Sequence, residues 1–263
     1  MNWLLVWGFL SLCVGLTWIV AVRQKRGGIV DTVWAYSLGF TSIIWFFLES
    51  NPEFHIRSYI TILVAGFWAH RLGSYLFRRI KREGEDARYG KLIQHWGTQW
   101  KLKLFVFYQI QALASTVLSI SFFLAVSNPV SQLQITDFIA IAIAIIAILG
   151  EALSDKQLDR FRSNSEGKNK GVCKTGLWKY TRHPNYFFEW LFWISLIFLS
   201  IGHSFFYLSL IPALAIYYFL NKGSGIPYAE KQSIARRGNA YIQYQKETNA
   251  FFPWFPKKNS TLN

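Results

Sequence analysis

Long runs of apolar residues, separated by shorter polar stretches, dominate the hydropathy pattern of this chain. The first five runs are each close to the ~20 residues that a helix needs to cross a bilayer. The last two are shorter and are joined only by residues 202–204, which fits a tilted hairpin or a partly re-entrant pair. The predicted spans are Trp3–Val22, Val30–Leu48, Tyr59–Phe77, Leu104–Val126, Ile135–Leu153, Tyr186–Ile201 and Phe205–Leu220. We therefore predict an all-α, polytopic membrane helix bundle of about seven helices, with six as the alternative.

The distribution of positive charge gives this bundle an orientation. The chain carries 28 Lys and Arg against 14 Asp and Glu, a net charge of +14. With seven spans, every Lys and Arg except Arg57 and Arg71 lies on one side of the membrane, either in a connection between spans or in the C-terminal tail. Positively charged loops face the cytoplasm, so the N-terminus is expected outside and the C-terminus inside. Because this topology already accounts for the cations, no nucleic-acid partner is expected. Residues 1–263 are expected to form one integral-membrane domain.

A polar motif at the start of the sixth predicted span is the clearest candidate for chemistry. Arg182 and His183 precede Pro184, which suits the first position of a helix because proline has no backbone N–H. The free N–H groups and the positive dipole end of such a helix attract phosphate groups. Asn185 and Glu189 are four residues apart and therefore share one helix face. The motif predicts a site for an anionic, polar cofactor at the membrane surface.

Three other groups of polar residues lie at or near membrane boundaries. Arg71 lies within the third predicted span, where a cation costs a few kcal/mol, so we expect a ligand or an ion pair; the alternative is snorkelling to the surface. Glu151, Asp155 and Arg162 have the spacing of one helix face, although a solvated helix end with salt bridges has the same pattern. Asp31, at the start of the second span, is either catalytic or a helix N-cap.

Taken together, these residues resemble the steroid 5-alpha-reductase family in its wide sense, especially the bacterial membrane proteins grouped with it. The similar region is about residues 104–256, and the resemblance is strongest from Asp155 to Phe255. Its motifs are Asp155…Arg162, Gly176-Leu-Trp-Lys-Tyr180, Arg182-His-Pro-Asn-Tyr186, Glu189, Ser224-Gly-Ile-Pro227, Glu230 and Tyr241…Tyr244…Pro253. His70-Arg71 and Asp86-Ala-Arg-Tyr89 add to it earlier in the chain.

The resemblance implies a protein of the bacterial inner membrane with an NADPH site that opens to the cytoplasm. Arginines would meet the phosphates bidentately, while Asn and Glu would hold the nicotinamide carboxamide and the ribose. The basic loops would favour the additional 2′-phosphate of NADPH over NADH. The implied cofactor-binding residues are Arg71, Asp155, Arg162, Lys170, Arg182, His183, Asn185, Glu189 and Tyr241.

The implied reaction is reduction of a carbon–carbon double bond conjugated to a carbonyl, in a steroid-like or lipid-like substrate that enters from the bilayer among the membrane lipids. The reductases use a glutamate and a tyrosine on that carbonyl. This chain has Asp31 near the first position and Trp68 at the second, and these are the candidate catalytic residues. It departs from the family at Trp68, because an indole N–H donates a hydrogen bond but does not act as a proton donor as a phenol does. Phe188 also stands where the family has glycine.

Two other functions remain open from the sequence. Methyltransferases of the isoprenylcysteine carboxyl methyltransferase type, which use S-adenosylmethionine, share the Arg-His-Pro-x-Tyr motif and the Glu…Tyr…Tyr…Pro tail. Asn185, Glu189 and the pair Asp155…Arg162 favour the reductase instead. The third possibility is a non-enzymatic lipid-binding or assembly protein. No metal site is expected, since the histidines lack ligand spacing to other His, Cys or acidic residues.

Overall fold

The computed structural model of the protein describes residues 2–49, 56–164 and 171–257, and regular structure in these ranges is helical, without strands. The helices are α1 (Asn2–Gln24), α2 (Ile29–Leu48), α3 (Ile56–Glu83), α4 (Ala87–Trp96), α5 (Trp100–Leu118), α6 (Ile120–Val126), α7 (Ile135–Ser163), α8 (Pro184–Ser200), α9 (Leu210–Asn221), α10 (Ile226–Arg237) and α11 (Asn239–Glu247). The all-α prediction is confirmed for these residues.

Five stretches are long and apolar enough to cross a membrane. They are α1, α2, α3, the helical stretch Ala87–Val126 and α7. With 17 and 12 residues, α8 and α9 fall below that length, and at 1.5 Å per residue they extend about 26 Å and 18 Å. Large apolar side chains on the long helices are exposed, among them Leu63, Phe67 and Leu149, as contact with lipid requires. Several long apolar helices therefore indicate an integral membrane protein, while the count of seven spans and the orientation stay predictions.

The chain forms two compact units. Unit 1 contains Met1–Phe138 and Leu196–Pro212, and unit 2 contains Ile139–Ser195 and Ala213–Asn263. Because the boundaries fall within α7, α8 and α9, each unit is built from segments that are distant in the sequence. The single domain expected for residues 1–263 stays a prediction.

Small residues bring α2 and α3 of unit 1 into close contact. A Cβ added at Gly39 would lie 2.4 Å from the Cβ of Ala69, and one added at Gly73 would lie 2.4 Å from the ring of Tyr36. Glycine and alanine allow membrane helices to approach closely, which increases van der Waals contact where no hydrophobic effect drives association.

A buried ion pair joins the first turns of α3 and α7 in unit 1. Arg57 donates from Nε and Nη2 to the two carboxylate oxygens of Asp137, at 2.7 and 2.6 Å, and both side chains are 1% exposed. Arg57 also donates to the backbone carbonyl of Val130 at 2.8 Å, while Asp137 accepts from the backbone N–H of Gln134 at 2.7 Å. Two charged groups can stay buried when the pair is bidentate and the other polar atoms of both side chains form hydrogen bonds, because these interactions offset the cost of desolvation.

The end of α8 is fixed in unit 1 by Asn128, which lies between α6 and α7. Its side-chain Nδ2 donates to the carbonyls of Leu199 and Ile201, at 3.1 and 2.8 Å. The following residue, Gly202, has φ +106°, and a Cβ there would lie 2.8 Å from the side chain of Val130. The turn after α8 is therefore packed against the connection between α6 and α7.

In unit 2, both α8 and the turn that precedes α8 pack against α7. A Cβ at Gly150 would lie 2.5 Å from the ring of Phe188, so glycine permits the contact between α7 and α8. The turn at Gly176–Lys179 is fixed to α7 by a hydrogen bond, in which Trp178 Nε1 donates to the carbonyl of Ser154 at 3.0 Å. These contacts place the start of α8 beside the polar end of α7.

Candidate functional site

The segment before α8 is tied to the C-terminal tail by hydrogen bonds. The amide of Arg182 donates to the carbonyl of Asn249 at 2.8 Å. The hydroxyl of Thr181 donates to the carbonyls of Ala250 and Phe251, at 3.0 and 2.9 Å. Pro184 is the first residue of α8, as its missing N–H predicts. The tail thus determines where the N-terminus of α8 lies.

The guanidinium of Arg182 is used inside the protein. Its Nε donates to Glu230 Oε1 at 2.7 Å, and Nη1 donates to the carbonyls of Gln245, at 3.1 Å, and Thr248. Gln245 donates in turn to the other carboxylate oxygen of Glu230 at 2.7 Å. The position predicted to meet a phosphate therefore joins α8 to α10 and α11.

Burial has opposite effects on the pKa values of His183 and Glu230, yet both pKa values lie below their ordinary values. Burial lowers the pKa of His183, and the hydrogen bond to Glu230 only partly offsets this effect. Burial alone would raise the pKa of Glu230, but the hydrogen bonds from His183 and Arg182 outweigh it and lower that pKa to about 2. His183 Nε2 lies 3.3 Å from Glu230 Oε1, and the ring stacks on Tyr186 with centroids 5.4 Å apart. The arrangement at neutral pH is a neutral imidazole that donates to a carboxylate, with the tautomer assigned from this bond.

Asp155, Asn185 and Glu189 form the polar face between α7 and α8. Asn185 Nδ2 lies 3.4 Å from Asp155 Oδ1, and Glu189 Oε1 accepts from the indole of Trp193 at 3.0 Å. Asp155 and Glu189 are 3% and 8% exposed. The other amide atom, Asn185 Oδ1, is buried and makes no hydrogen bond. The structure thus brings together three of the predicted cofactor residues, and one of them has an unsatisfied acceptor.

This acceptor allows a test of whether a nicotinamide cofactor fits. A buried carbonyl oxygen without a donor carries a penalty of about 1–3 kcal/mol, which a ligand N–H or O–H would remove. A carboxamide NH₂ and ribose hydroxyls are such donors, and the carboxylates of Asp155 and Glu189 accept from the same groups. The residues at the start of α8 therefore suit a ligand that carries donor groups of this kind.

The other predicted cofactor residues of unit 2 lie elsewhere on it. Tyr241 is buried against Tyr244 and Val172, and burial raises the pKa of its hydroxyl to about 12, so this phenol stays protonated. Arg162 is half-buried on the last turn of α7. Lys170 lies outside the described residues.

Asp31, in unit 1, lies within a network of hydrogen bonds. It accepts from Arg88 Nη2 at 2.9 Å and from the hydroxyl of Tyr89 at 2.6 Å. The N-cap interpretation of Asp31 is wrong, because α2 begins at Ile29 and Gly28 occupies the cap position. The partners Arg88 and Tyr89 were not singled out from chemistry; their only signal was the Asp86-Ala-Arg-Tyr motif.

Trp68 and Arg71 both lie on α3. Trp68 is fully buried, with Trp34 and Phe122 rings 6.1 and 6.3 Å away. The guanidinium carbon of Arg71 lies 5.6 Å from the centroid of the Tyr75 ring, one turn further along the helix. A cation–π contact of this kind partly stabilises a charge at membrane depth.

Long apolar helices and a buried polar site at the start of α8 define the chain as an all-helical protein of the integral-membrane class. It belongs to the family described as "Protein of unknown function (DUF1295)", which matches residues 17–248. That family is related to the steroid 5-alpha-reductase and isoprenylcysteine methyltransferase-like membrane proteins. No curated protein and no solved structure matches the chain.

Proposed function

We propose that this protein is an NADPH-dependent reductase of a conjugated carbon–carbon double bond in a hydrophobic substrate. The observation that supports it most is the unsatisfied, buried Oδ1 of Asn185 beside the carboxylates of Asp155 and Glu189. A site rich in acceptors suits the donor groups of a nicotinamide nucleotide. The family is related both to steroid 5-alpha-reductase-like and to isoprenylcysteine methyltransferase-like membrane proteins, so it is compatible with this proposal and with the second candidate below.

The candidate site residues of unit 2 have distinct roles in this proposal. Asn185 Oδ1 accepts from the carboxamide, and Asp155 and Glu189 accept from the ribose hydroxyls. Arg162 binds the diphosphate. Arg182 is a positioning residue, because its guanidinium is bonded to Glu230 and to carbonyls of the tail. When bound, NADPH supplies the hydride.

Unit 1 contains the residues that are the candidates for proton chemistry. Trp68 is not an acid, whereas the phenol of Tyr89 is hydrogen-bonded to Asp31 at 2.6 Å. Asp31 and Tyr89 are therefore the pair in unit 1 that is chemically suited to handle a proton, whereas Trp68 packs among buried aromatic rings. The pair lies near the start of α2, at the end of the span that we propose faces the cytoplasm, and the substrate would come from the bilayer.

The proposal is tested by thermal stability of the detergent-purified full chain with NADPH, NADH and S-adenosylmethionine in parallel. A ligand that binds only the folded state raises Tm. At a ligand concentration of a hundred times Kd, it adds about 2.7 kcal/mol to the free energy of unfolding. Stabilisation by NADPH, followed by oxidation of NADPH with lipid enones, is the expected result. The absence of any NADPH-induced shift would overturn the reductase.

A methyltransferase that uses S-adenosylmethionine is the second candidate. The same observation supports it in part, because the carboxylates of Asp155 and Glu189 would also attract a sulfonium and an ammonium group. S-adenosylmethionine has no phosphate, so it has no group that corresponds to the diphosphate assigned above to Arg162. Stabilisation by S-adenosylmethionine and not by NADPH would select this candidate.

A further inference from the structure

A pocket of about 410 Å³ lies in unit 2, outside the polar face formed by Asp155, Asn185 and Glu189. Phe161, on the last turn of α7, and Val172 contribute apolar surface to it. Thr175 and Gln243 contribute polar groups, and Lys174 contributes a cation. An apolar wall with a few polar groups at defined positions is typical of a small-molecule site.

Positive charge is concentrated beside this pocket. Arg237 Nε donates at 2.8 Å to the carbonyl of Gly171, a residue of the pocket wall. Burial lowers the pKa of Arg237, and the neighbouring charges of Arg236 and Arg162 lower it further. Like charges gathered in this way repel one another, and a bound anion relieves that repulsion.

One carboxylate lies at the same place and does not cancel this charge. Glu247 accepts from Lys174 Nζ at 2.9 Å and from the amide of Gln243 at 2.9 Å. It therefore orients two side chains of the pocket wall. The charge of one carboxylate is exceeded by those of Lys174 and the neighbouring arginines.

We propose that this pocket binds the 2′-phosphorylated adenosine end of NADPH, with Arg237 and Lys174 on the phosphate and the adenine against Phe161 and Val172. The inference rests on the proposed function and assigns the second half of the same cofactor. Phe161 follows Asp155 by six residues on α7, so the two levels are separated by about 9 Å along the helix. The two ends of a dinucleotide, joined through its diphosphate, can occupy such separate levels.

The proposal is tested by equilibrium binding to the detergent-purified full chain. The ligands are NADPH, NADH and 2′,5′-ADP, which carries the 2′-phosphate but no nicotinamide. Wild type is expected to bind NADPH at least tenfold more tightly than NADH. Arg237→Gln and Lys174→Gln should each weaken NADPH and 2′,5′-ADP about tenfold, the equivalent of 1.4 kcal/mol, and leave NADH unchanged.

The controls separate this site from the fold and from the proposed function. Lys231→Gln removes an exposed cation of α10 that does not line the pocket, and it should change nothing. Arg237 also bonds Ser233, so if Arg237→Gln lowers Tm, the exposed Lys174 decides the result. Equal weakening of NADH, or unchanged affinities in Lys174→Gln, would overturn the pocket while NADPH binding by wild type keeps the reductase. If wild type binds 2′,5′-ADP but not NADPH, and Lys174→Gln loses the binding of 2′,5′-ADP, the result would support the pocket and overturn the proposed reductase. If wild type binds neither ligand, both proposals would be overturned.

Discussion

Asn185 provides the most direct test at the scale of single residues. Its Oδ1 is the buried acceptor that a cofactor would satisfy. Asn185→Ala removes this acceptor, so NADPH affinity should fall about tenfold, in keeping with a net hydrogen bond of about 1–1.5 kcal/mol. The measurement is the Kd for NADPH with Tm recorded alongside. Asn249→Ala, an exposed asparagine of the same unit, is the matched control, and an equal affinity in both variants would remove Asn185 from the site.

The pair His183 and Glu230 predicts how stability depends on pH. Both pKa values are lower in the folded protein than the ordinary values of 6.5 and 4.5, that of Glu230 reaching about 2. For such groups the unfolded chain binds more protons, so the stability that they contribute is complete above the unfolded pKa and is lost as pH falls. Tm should therefore decrease below pH 6.5 and more steeply between pH 4.5 and 2.

Glu230→Gln isolates the second part of this dependence. The variant keeps the shape of the side chain but loses the charge that Arg182 and His183 stabilise, so it should be less stable by about 1.5–3 kcal/mol at pH 7. Its Tm should also vary less than that of wild type between pH 4.5 and 3. A parallel decrease in both proteins would show that another carboxylate controls the acid range.

Single residues also show where sequence reasoning reached its limit. Asn185 and Glu189 were found because helical spacing alone places them on one face, and the contact of Asn185 with Asp155 required only that α7 and α8 be neighbours. Arg182 was predicted to meet a phosphate, but three tail acceptors that bind it lie about 50–66 residues further along. Nothing in the local pattern indicates such distant partners. The same holds for Arg57, treated from the sequence only as a lone cation.

At the scale of helices, the contact at Gly150 controls the spacing of α7 and α8. A side chain there would meet the ring of Phe188 at 2.5 Å, and the ring has to move or the helices have to separate. Gly150→Val should therefore enlarge the 3.4 Å distance between Asp155 and Asn185 and reduce cofactor affinity by tenfold or more. The matched control is Gly66→Val on α3, where a Cβ meets nothing within 4 Å. Similar loss in both variants would indicate a general effect of the substitution.

The ion pair between Arg57 and Asp137 is expected to hold α3 to α7 within unit 1. Asp137→Ala leaves a guanidinium buried without its carboxylate, which costs about 3–5 kcal/mol. The double variant Arg57→Met with Asp137→Leu should recover most of this loss, since it removes the stranded charge. Chemical denaturation in detergent measures both. A double variant as unstable as Asp137→Ala would show that the pair fixes geometry that apolar residues cannot replace.

The elements themselves were largely predictable. Apolar runs of about 20 residues correctly indicated α1, α2, α3 and α7, because a bilayer requires that length. Their ends were less accurate: α3 and α7 continue to Glu83 and Ser163, into polar residues that the hydropathy pattern excludes. The fourth run is divided at Ser119 between α5 and α6, a break that hydropathy does not register.

At the scale of the whole molecule, the turn after α8 tests the topology. Asn128 binds this turn to the connection between α6 and α7, which the charge pattern places outside. We therefore predict that Ser204→Cys and Leu133→Cys, both at exposed positions, react with a membrane-impermeant maleimide in intact cells. Lys91→Cys should react only after permeabilisation. The background is Cys13→Ala with Cys173→Ala. Protection of Ser204→Cys alone would mean that the segments α8 and α9 do not reach the outer surface.

The bonds from Arg182 to the tail also constrain the order of events during synthesis. Its partner Thr248 is made 66 residues later, which at 5–20 residues per second is a delay of about 3–13 s. Until Glu230 is made, 48 residues after Arg182, the newly made segment for α8 is at the membrane with a guanidinium that has none of these acceptors, and the set is complete only at Thr248. A ribosome that pauses in this region would prolong the exposure of that charge, so codon choice between residues 182 and 248 is expected to affect the yield of inserted protein.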